Sequence, residues 1–274
     1  MWNHWVLRAS TPHEPFRNFE SARRTWITLN NLFPDALAAV LMPNHLHLIL
    51  AMESAKQNLR KLNGLMGVIS KHVRILGLWQ SIPPPSLIPD RHHLRRQIRY
   101  VALNPCRKNL CSDPLEWYWS TYRQIMGATV NQQMKVSRLA RVLGETERGF
   151  GVRFHTYVSA DPSVSVTGTR PPQPAVSKLW PEESIGEILA ASAAALQIST
   201  SEIQKRGPLR ALFIHLACQQ GWRQPPLLSQ ICKITPRAVH SILSHKPPKG
   251  IEAAALCLGD QRLRTKEPFE FLKK

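Results

Sequence analysis

The segment Met42-Pro43-Asn44-His45-Leu46-His47-Leu48-Ile49-Leu50 carries two imidazoles separated by one leucine. On a strand, residues two apart point to the same side, roughly 6.5–7 Å apart along the backbone. His45 and His47 therefore share one face, and Leu46, Leu48 and Leu50 pack on the other. Two imidazoles aimed at one point begin a metal site. A polar strand face bearing two ordinary histidines, in a chain with 11 of them, has the same pattern. A second stretch, Arg96-Gln97-Ile98-Arg99-Tyr100-Val101-Ala102-Leu103-Asn104-Pro105, has helical character. There Tyr100 and Asn104 are neighbours one turn apart, about 5–6 Å between Cβ atoms. Arg96 precedes them on the same stripe. A phenol beside a metal-capable amide and an arginine suits attack on a phosphodiester: the phenol is the nucleophile, a cation polarises the phosphate, and the arginine balances charge. A core tyrosine with a capping asparagine is the competing reading of that stretch.

The surrounding elements must present these groups. Asn3–Ala9 alternates as a strand, with His4, Val6 and Arg8 against Trp5, Leu7 and Ala9. Phe19–Phe33 has a helical period. Ala36–Leu41 and His45–Met52 form a hairpin around Pro43-Asn44. Leu59–Leu78 reads as a long amphipathic helix. Ser81–Pro89, with four prolines, reads as a loop without regular structure. A further helix is expected from an Asp90 N-cap to Asn104, where Pro105 would stop it. The order strand, helix, hairpin, helix implies a small antiparallel sheet with helices on one face.

Beyond Tyr122 the pattern weakens, with a short helix at Ser137–Leu143. Ser159–Pro181, rich in Ser, Thr, Pro and Val, reads as an interdomain linker. Helical periods return at Glu182–Leu196 and Leu209–Gly221, then at Leu227–Cys232 and Pro236–Ser244 around a tight Lys233-Ile234-Thr235 turn. The last pair reads as a helix-turn-helix, with Thr235 as N-cap and Pro236 at the first helical position. Val239, Ile242 and Leu243 would face the core, leaving Arg237, His240, Ser241 and Ser244 for a major groove. An ordinary helical bundle is the competing reading.

Composition narrows the partner. The 274 residues suit two modest domains and carry 36 Lys and Arg against 18 Asp and Glu, a formal charge of +18. Such an excess repels itself unless a polyanion offsets it, which points to nucleic acid. A membrane role is not expected: the longest apolar stretch, around Leu37–Met52, is broken by Pro43, Asn44, His45 and His47. Met1-Trp2-Asn3-His4 shows no secretory signal. The five scattered cysteines read as reduced thiols of a cytoplasmic protein, here expected near the nucleoid. Arg91, Arg95, Arg96 and Arg99 lead directly to Tyr100 and read as phosphate contacts, with Lys56, Arg60, Lys61, Lys71 and Arg74 extending that surface.

Pro-Asn-His-Leu-His-Leu, then Tyr-Val-Ala-Leu-Asn-Pro, then Trp117-Tyr118-Trp119-Ser120-Thr121-Tyr122 closely resembles the REP-associated tyrosine transposases of the single-tyrosine HUH superfamily. The resemblance covers roughly residues 2–127 and carries over no residue from Ser81–Pro89. It implies a ferredoxin-like βαββαβ core, with His45 and His47 as metal ligands, Asn104 in the third ligand position and Tyr100 as nucleophile. It also implies Mg²⁺ or Mn²⁺, although ligand softness alone would favour zinc or another transition metal for two histidines. The implied reaction cuts single-stranded DNA, leaving a 5′-phosphotyrosine and a free 3′-hydroxyl that can be rejoined. The stretch from about Glu182 to Leu263 resembles the DnaA-C-terminal-like domain that some of these transposases append.

The expected architecture is thus α+β. A ferredoxin-like antiparallel HUH domain spans 1–127, a connecting region 128–181, an all-α helix-turn-helix domain 182–264 and a tail 265–274. The expected partner is single-stranded or hairpin palindromic repeat DNA, with oligomeric state open between monomer and dimer. A non-cutting DNA-binding regulator is the alternative; a plasmid replication initiator shares the chemistry, but no helicase or origin-binding module is evident.

Overall fold

The computed structural model describes residues 1–52, 55–131 and 134–264. The chain separates into two compact units, the first holding residues 1–125 and 134–170, the second 126–131 and 171–264. The connecting region expected over 128–181 is thus distributed between them. The tail 265–274 lies outside the described residues.

The first unit opens with β1 (Trp2–Arg8), α1 (Phe19–Leu32), β2 (Ala38–Met42), β3 (His45–Ala51), α2 (Ala55–Val73), β4 (Ser86–Ile88) and α3 (Arg91–Arg107). The strands form one antiparallel sheet in the order β2-β3-β1-β4. That is the split βαβ arrangement of a βαββαβ core, each crossover skipping over one strand. Register decides which side chains share a face. Val6 lies opposite His47 and Arg8 opposite His45 on one side; Val40 and Met42 flank the same two histidines on the other. His4, Val6, Arg8, His45 and His47 therefore share a face, while the buried Trp5, Leu7, Leu46, Leu48 and Leu50 occupy the opposite one.

Four expectations need correction. β4 arises inside the stretch read as a loop, Ser86–Ile88 pairing with Trp2–His4. Proline is compatible with this because β4 is a sheet edge, where few ladder bonds are demanded. The helix α3 does not stop at Asn104 but continues through a buried Pro105 to Arg107. Proline removes only its own N–H there, and Lys108 N and Leu110 N close the end on Asn104 O and Pro105 O. α2 ends at Val73, where Arg74 (φ 56°) and Gly77 (φ 65°) turn left-handed. Leu76, within the helix expected over Leu59–Leu78, lies beyond its end and is 98% exposed. Finally, the helices do not all lie on one face. α1 and α2 pack together, and right-handed crossovers place both on the same side. α3 lies over the histidine face, meeting it through Gln97 and Tyr100.

After a 3₁₀ turn at Pro114–Glu116 come α4 (Thr121–Ile125), α5 (Val136–Leu143) and α6 (Phe150–Ser159). The helix α6 was not legible in the sequence. It packs with α5 on α3; Trp117, Trp119 and Tyr122 are fully buried, Tyr122 against Phe154 and His155 of α6 and Trp119 against Phe19 and Trp26 of α1. Trp119 O receives Leu41 N and Trp117 Nε1 donates to Leu41 O, so this segment docks on the outer side of β2.

The second unit contains α7 (Ile185–Leu196), α8 (Pro208–Gln219), α9 (Pro225–Cys232), α10 (Pro236–Leu243), α11 (Ile251–Gly259) and α12 (Gln261–Arg264). Ser184 starts α7 with a capping box, its hydroxyl accepting from Glu187 N while the Glu187 carboxylate accepts from Ser184 N. α7, α8 and α11 pack on one another. The extended stretch 173–183 straps across them through Ala175 N to Ala255 O and Lys178 N to Gln219 O. None of the five cysteines, all among the described residues, forms a disulfide, and Cys106 and Cys111, expected to be scattered, touch at 3.6 Å. Among the described residues, no helix is long and apolar enough to cross a membrane.

Candidate active site

β3 holds His45 and His47 with ring centroids 4.9 Å apart, nearly perpendicular, and both side chains are buried. α3 brings Tyr100 over them: its ring stands edge-on to His47 at 5.9 Å and to His4 at 6.3 Å. Tyr100 remains 37% exposed, so part of its surface is open to solvent. One turn later Asn104 is only 2% exposed. Its carboxamide lies close enough to His45 to favour that ring's charged form, yet Oδ1 makes no well-directed hydrogen bond among the described residues. The four residues singled out by their spacing thus converge on one point.

Each histidine is held by Nδ1. That of His45 meets Asn44 Oδ1 at 2.7 Å, and that of His47 meets His4 Nε2 at 2.9 Å. His4 in turn meets Gln97 of α3 through Nδ1 at 2.9 Å. With Nδ1 of each ring engaged, Nε2 is the ring atom left to face a cation. Burial pushes His4 and His45 down to about 4, and Arg8 and Lys108 reinforce this at His45. Burial, then the neighbouring rings of His45 and His4 and the charges of Arg8 and Lys108, push His47 down to about 2. All three imidazoles are neutral near pH 7, the form that offers a lone pair to a cation.

Further positive charge acts on the histidine pair from residues that the sequence did not single out. Arg8, on the histidine face, and Lys108, just beyond α3, are exposed and act directly on the histidine pair. Arg107 lies over the Tyr100 ring at 5.5 Å. Of the four expected arginines, Arg91 and Arg96 are exposed. Arg95 pairs with Glu145 at 3.2 Å and Arg99 with Asp161 at 2.9 Å, and both stack on Tyr157 at 4.4 Å. These two are engaged within the unit. Sequence reasoning missed His4, Gln97, Arg8, Arg107 and Lys108; for His4 and Arg8 the strand alternation was visible, but not which strand they would lie beside.

In the second unit, Thr235 Oγ1 accepts from Ala238 N to start α10. Lys233 takes the left-handed conformation (φ 49°) in the turn between α9 and α10. Val239 is buried, Ile242 and Leu243 are half-buried, and Arg237, His240, Ser241 and Ser244 are exposed.

No protein-family model matches this chain, and no curated protein matches it. Among solved structures, it is similar to one described as a REP-associated tyrosine transposase bound to a REP hairpin. That likeness has a TM-score of 0.37 and 16% sequence identity, covering 44% of this chain and 75% of the other.

Proposed function

We propose that this chain cuts and rejoins single-stranded DNA through Tyr100, beside a divalent cation held by His45, His47 and Asn104. The observation that carries the reading is the Asn104 carboxamide, buried against His45 with no well-directed hydrogen bond to Oδ1 among the described residues, one helical turn from a partly exposed tyrosine. A buried carbonyl oxygen without a partner costs roughly 1–3 kcal/mol, and a cation at this point removes that cost. Two neutral imidazoles and an amide oxygen form a mixed set that Mn²⁺ accepts readily and that Mg²⁺ accepts with water completing its shell. When bound, the cation supplies Lewis-acid polarisation of a phosphodiester oxygen.

The chain's own residues do the rest. Arg8 and Lys108 supply positive charge at the mouth of the site, where a phosphate would sit. Arg107 steadies the Tyr100 ring through its face. The Tyr100 hydroxyl attacks phosphorus; the bond to the 3′ oxygen breaks, and that oxygen leaves as a hydroxyl carrying the equivalent of the phenolic proton. The product is a 5′-phosphotyrosine, and attack by a 3′-hydroxyl reverses the step without an external energy source. The motif resemblance to the REP-associated transposases points to palindromic repeat hairpins as substrate, and the exposed side of α10 suits a duplex portion of such DNA.

The test is covalent capture. Labelled repeat DNA incubated with the protein and Mn²⁺ is run on a denaturing gel. The wild type forms an adduct; Tyr100→Phe, which removes only one oxygen from a partly exposed ring, binds DNA but forms none. Adduct formation by Tyr100→Phe moves the nucleophile elsewhere, and a wild type that binds but never cuts establishes a regulator instead.

A further inference from the structure

Gln97, His4 and His47 are linked side chain to side chain, and the role of that linkage rests on the metal-site reading above. A neutral imidazole carries one proton, on either nitrogen. For His47 to offer Nε2 to a cation, its proton must sit on Nδ1 and needs an acceptor there. The group at Nδ1 is His4 Nε2, at 2.9 Å. His4 accepts at Nε2 only if its own proton is on Nδ1, and the group 2.9 Å from that atom is the Gln97 carboxamide. His45 lies outside this chain of contacts: its Nδ1 meets Oδ1 of the adjacent Asn44.

We propose that His4 and Gln97 are positioning residues that decide whether His47 can bind the cation. The chain has two proton orders. With the Gln97 amide nitrogen toward His4, Gln97 donates to His4, His4 donates to His47, and the His47 proton occupies Nε2. With the carboxamide turned end for end, Oε1 takes the same position. His47 then donates to His4, His4 donates to Gln97, and His47 Nε2 is free. Each ring keeps one proton in either order, so the change moves protons between nitrogens without gaining or losing any. A glutamine suits this place because its carboxamide can donate or accept. Gln97 lies one turn before Tyr100 on α3, so the same helix carries the nucleophile and the end of the relay. His4 reaches it from β1, and its buried ring is stacked on His47 at 5.1 Å.

The test uses the full chain with ¹⁵N-labelled histidine. Two-bond ¹H–¹⁵N correlation reads the tautomer of His47 directly, first without metal and then with Mg²⁺; Mn²⁺ affinity is followed by electron paramagnetic resonance. Mg²⁺ should move the wild-type His47 proton to Nδ1. Gln97→Glu, whose carboxylate can only accept, should hold it there without metal, an effect that a merely structural role would not produce. His4→Ala should weaken Mn²⁺ binding by about 10–100-fold, and His4→Gln, which keeps an acceptor, should recover most of that loss. Unchanged Mn²⁺ affinity in a folded His4→Ala, or a His47 proton still on Nε2 in metal-free Gln97→Glu, overturns the relay alone. A wild type that takes up no Mn²⁺ overturns the metal site itself, and the relay with it.

Discussion

Replacing Asn104 with leucine should make the metal-free protein more stable and the metal-treated protein less so. Leucine keeps the fork at Cγ but exchanges the carboxamide for two methyl groups. Asn104 is 2% exposed and its Oδ1 is unpartnered among the described residues. Leaving such an oxygen dry costs about 1–3 kcal/mol, and replacing it by an apolar group of similar shape removes that cost. The slightly larger methyls return part of the gain as crowding, so we expect a net stabilisation of about 1 kcal/mol in chelator. That corresponds to a rise of roughly 2–4 °C in melting temperature for a domain of 150–250 residues. Mn²⁺ reverses the order. At 100 times its dissociation constant, a ligand that binds only the folded state contributes about 2.7 kcal/mol. The wild type should gain this, whereas the variant, lacking one ligand, should gain little. Differential scanning calorimetry of both proteins in chelator and in Mn²⁺ measures the four values. If Asn104→Leu melts lower than the wild type in chelator, the orphan oxygen is not a stored cost. If Mn²⁺ raises both melting temperatures equally, Asn104 is not a ligand.

Three further outcomes follow from other contacts. Arg8→Ala and Lys108→Ala should each weaken single-stranded DNA binding and lower the slope of log affinity against log salt by about 0.7, whereas Arg95→Ala, already paired with Glu145, should leave that slope unchanged; filter binding across salt concentrations checks it. At Asp161, whose side chain is 4% exposed between Arg99 and Arg107, burial alone would raise the carboxyl; hydrogen bonds from Ser163 and the two guanidiniums outweigh it and hold the group below the usual carboxylate range. Its contribution is therefore full above that range and is lost as pH falls through the lowered value. Asp161→Asn should cost about 1–3 kcal/mol at neutral pH, with the gap to wild type closing in acid, as read by denaturant titration at several pH values. Gly221→Ala should destabilise the second unit by at least about 1–3 kcal/mol, because Gly221 has φ +86° and an added Cβ would lie 2.4 Å from the Trp180 carbonyl carbon; a melting temperature unchanged from wild type would remove the strap from the list of fixed contacts.

What the residues determined by themselves is what chain geometry repeats over a few positions. The period of two on β3 put His45 and His47 on one side, and the period of 3.6 on α3 put Asn104 one turn beyond Tyr100. The Asp90 and Thr235 caps are local for the same reason, each made by a side chain to a backbone N–H three residues on. Tertiary structure decided everything that depends on which element lies beside which. His4 and Arg8 enter the site because β1 pairs with β3 in one register; a slip by one residue would turn them to the other face. Nothing within either strand specifies that pairing, since the partners are about forty positions apart and are chosen by burial of both faces together. Likewise Pro105 stays helical and Ser86–Ile88 becomes a strand, although local preference argued for a stop and a loop. In each case packing outweighed a local preference of a few kcal/mol or less. Arg95 and Arg99 read as free cations until α6 and Asp161, distant in sequence, supplied Tyr157 and a carboxylate. A charge run in a sequence records the charges; only the folded chain shows which have already been answered from within.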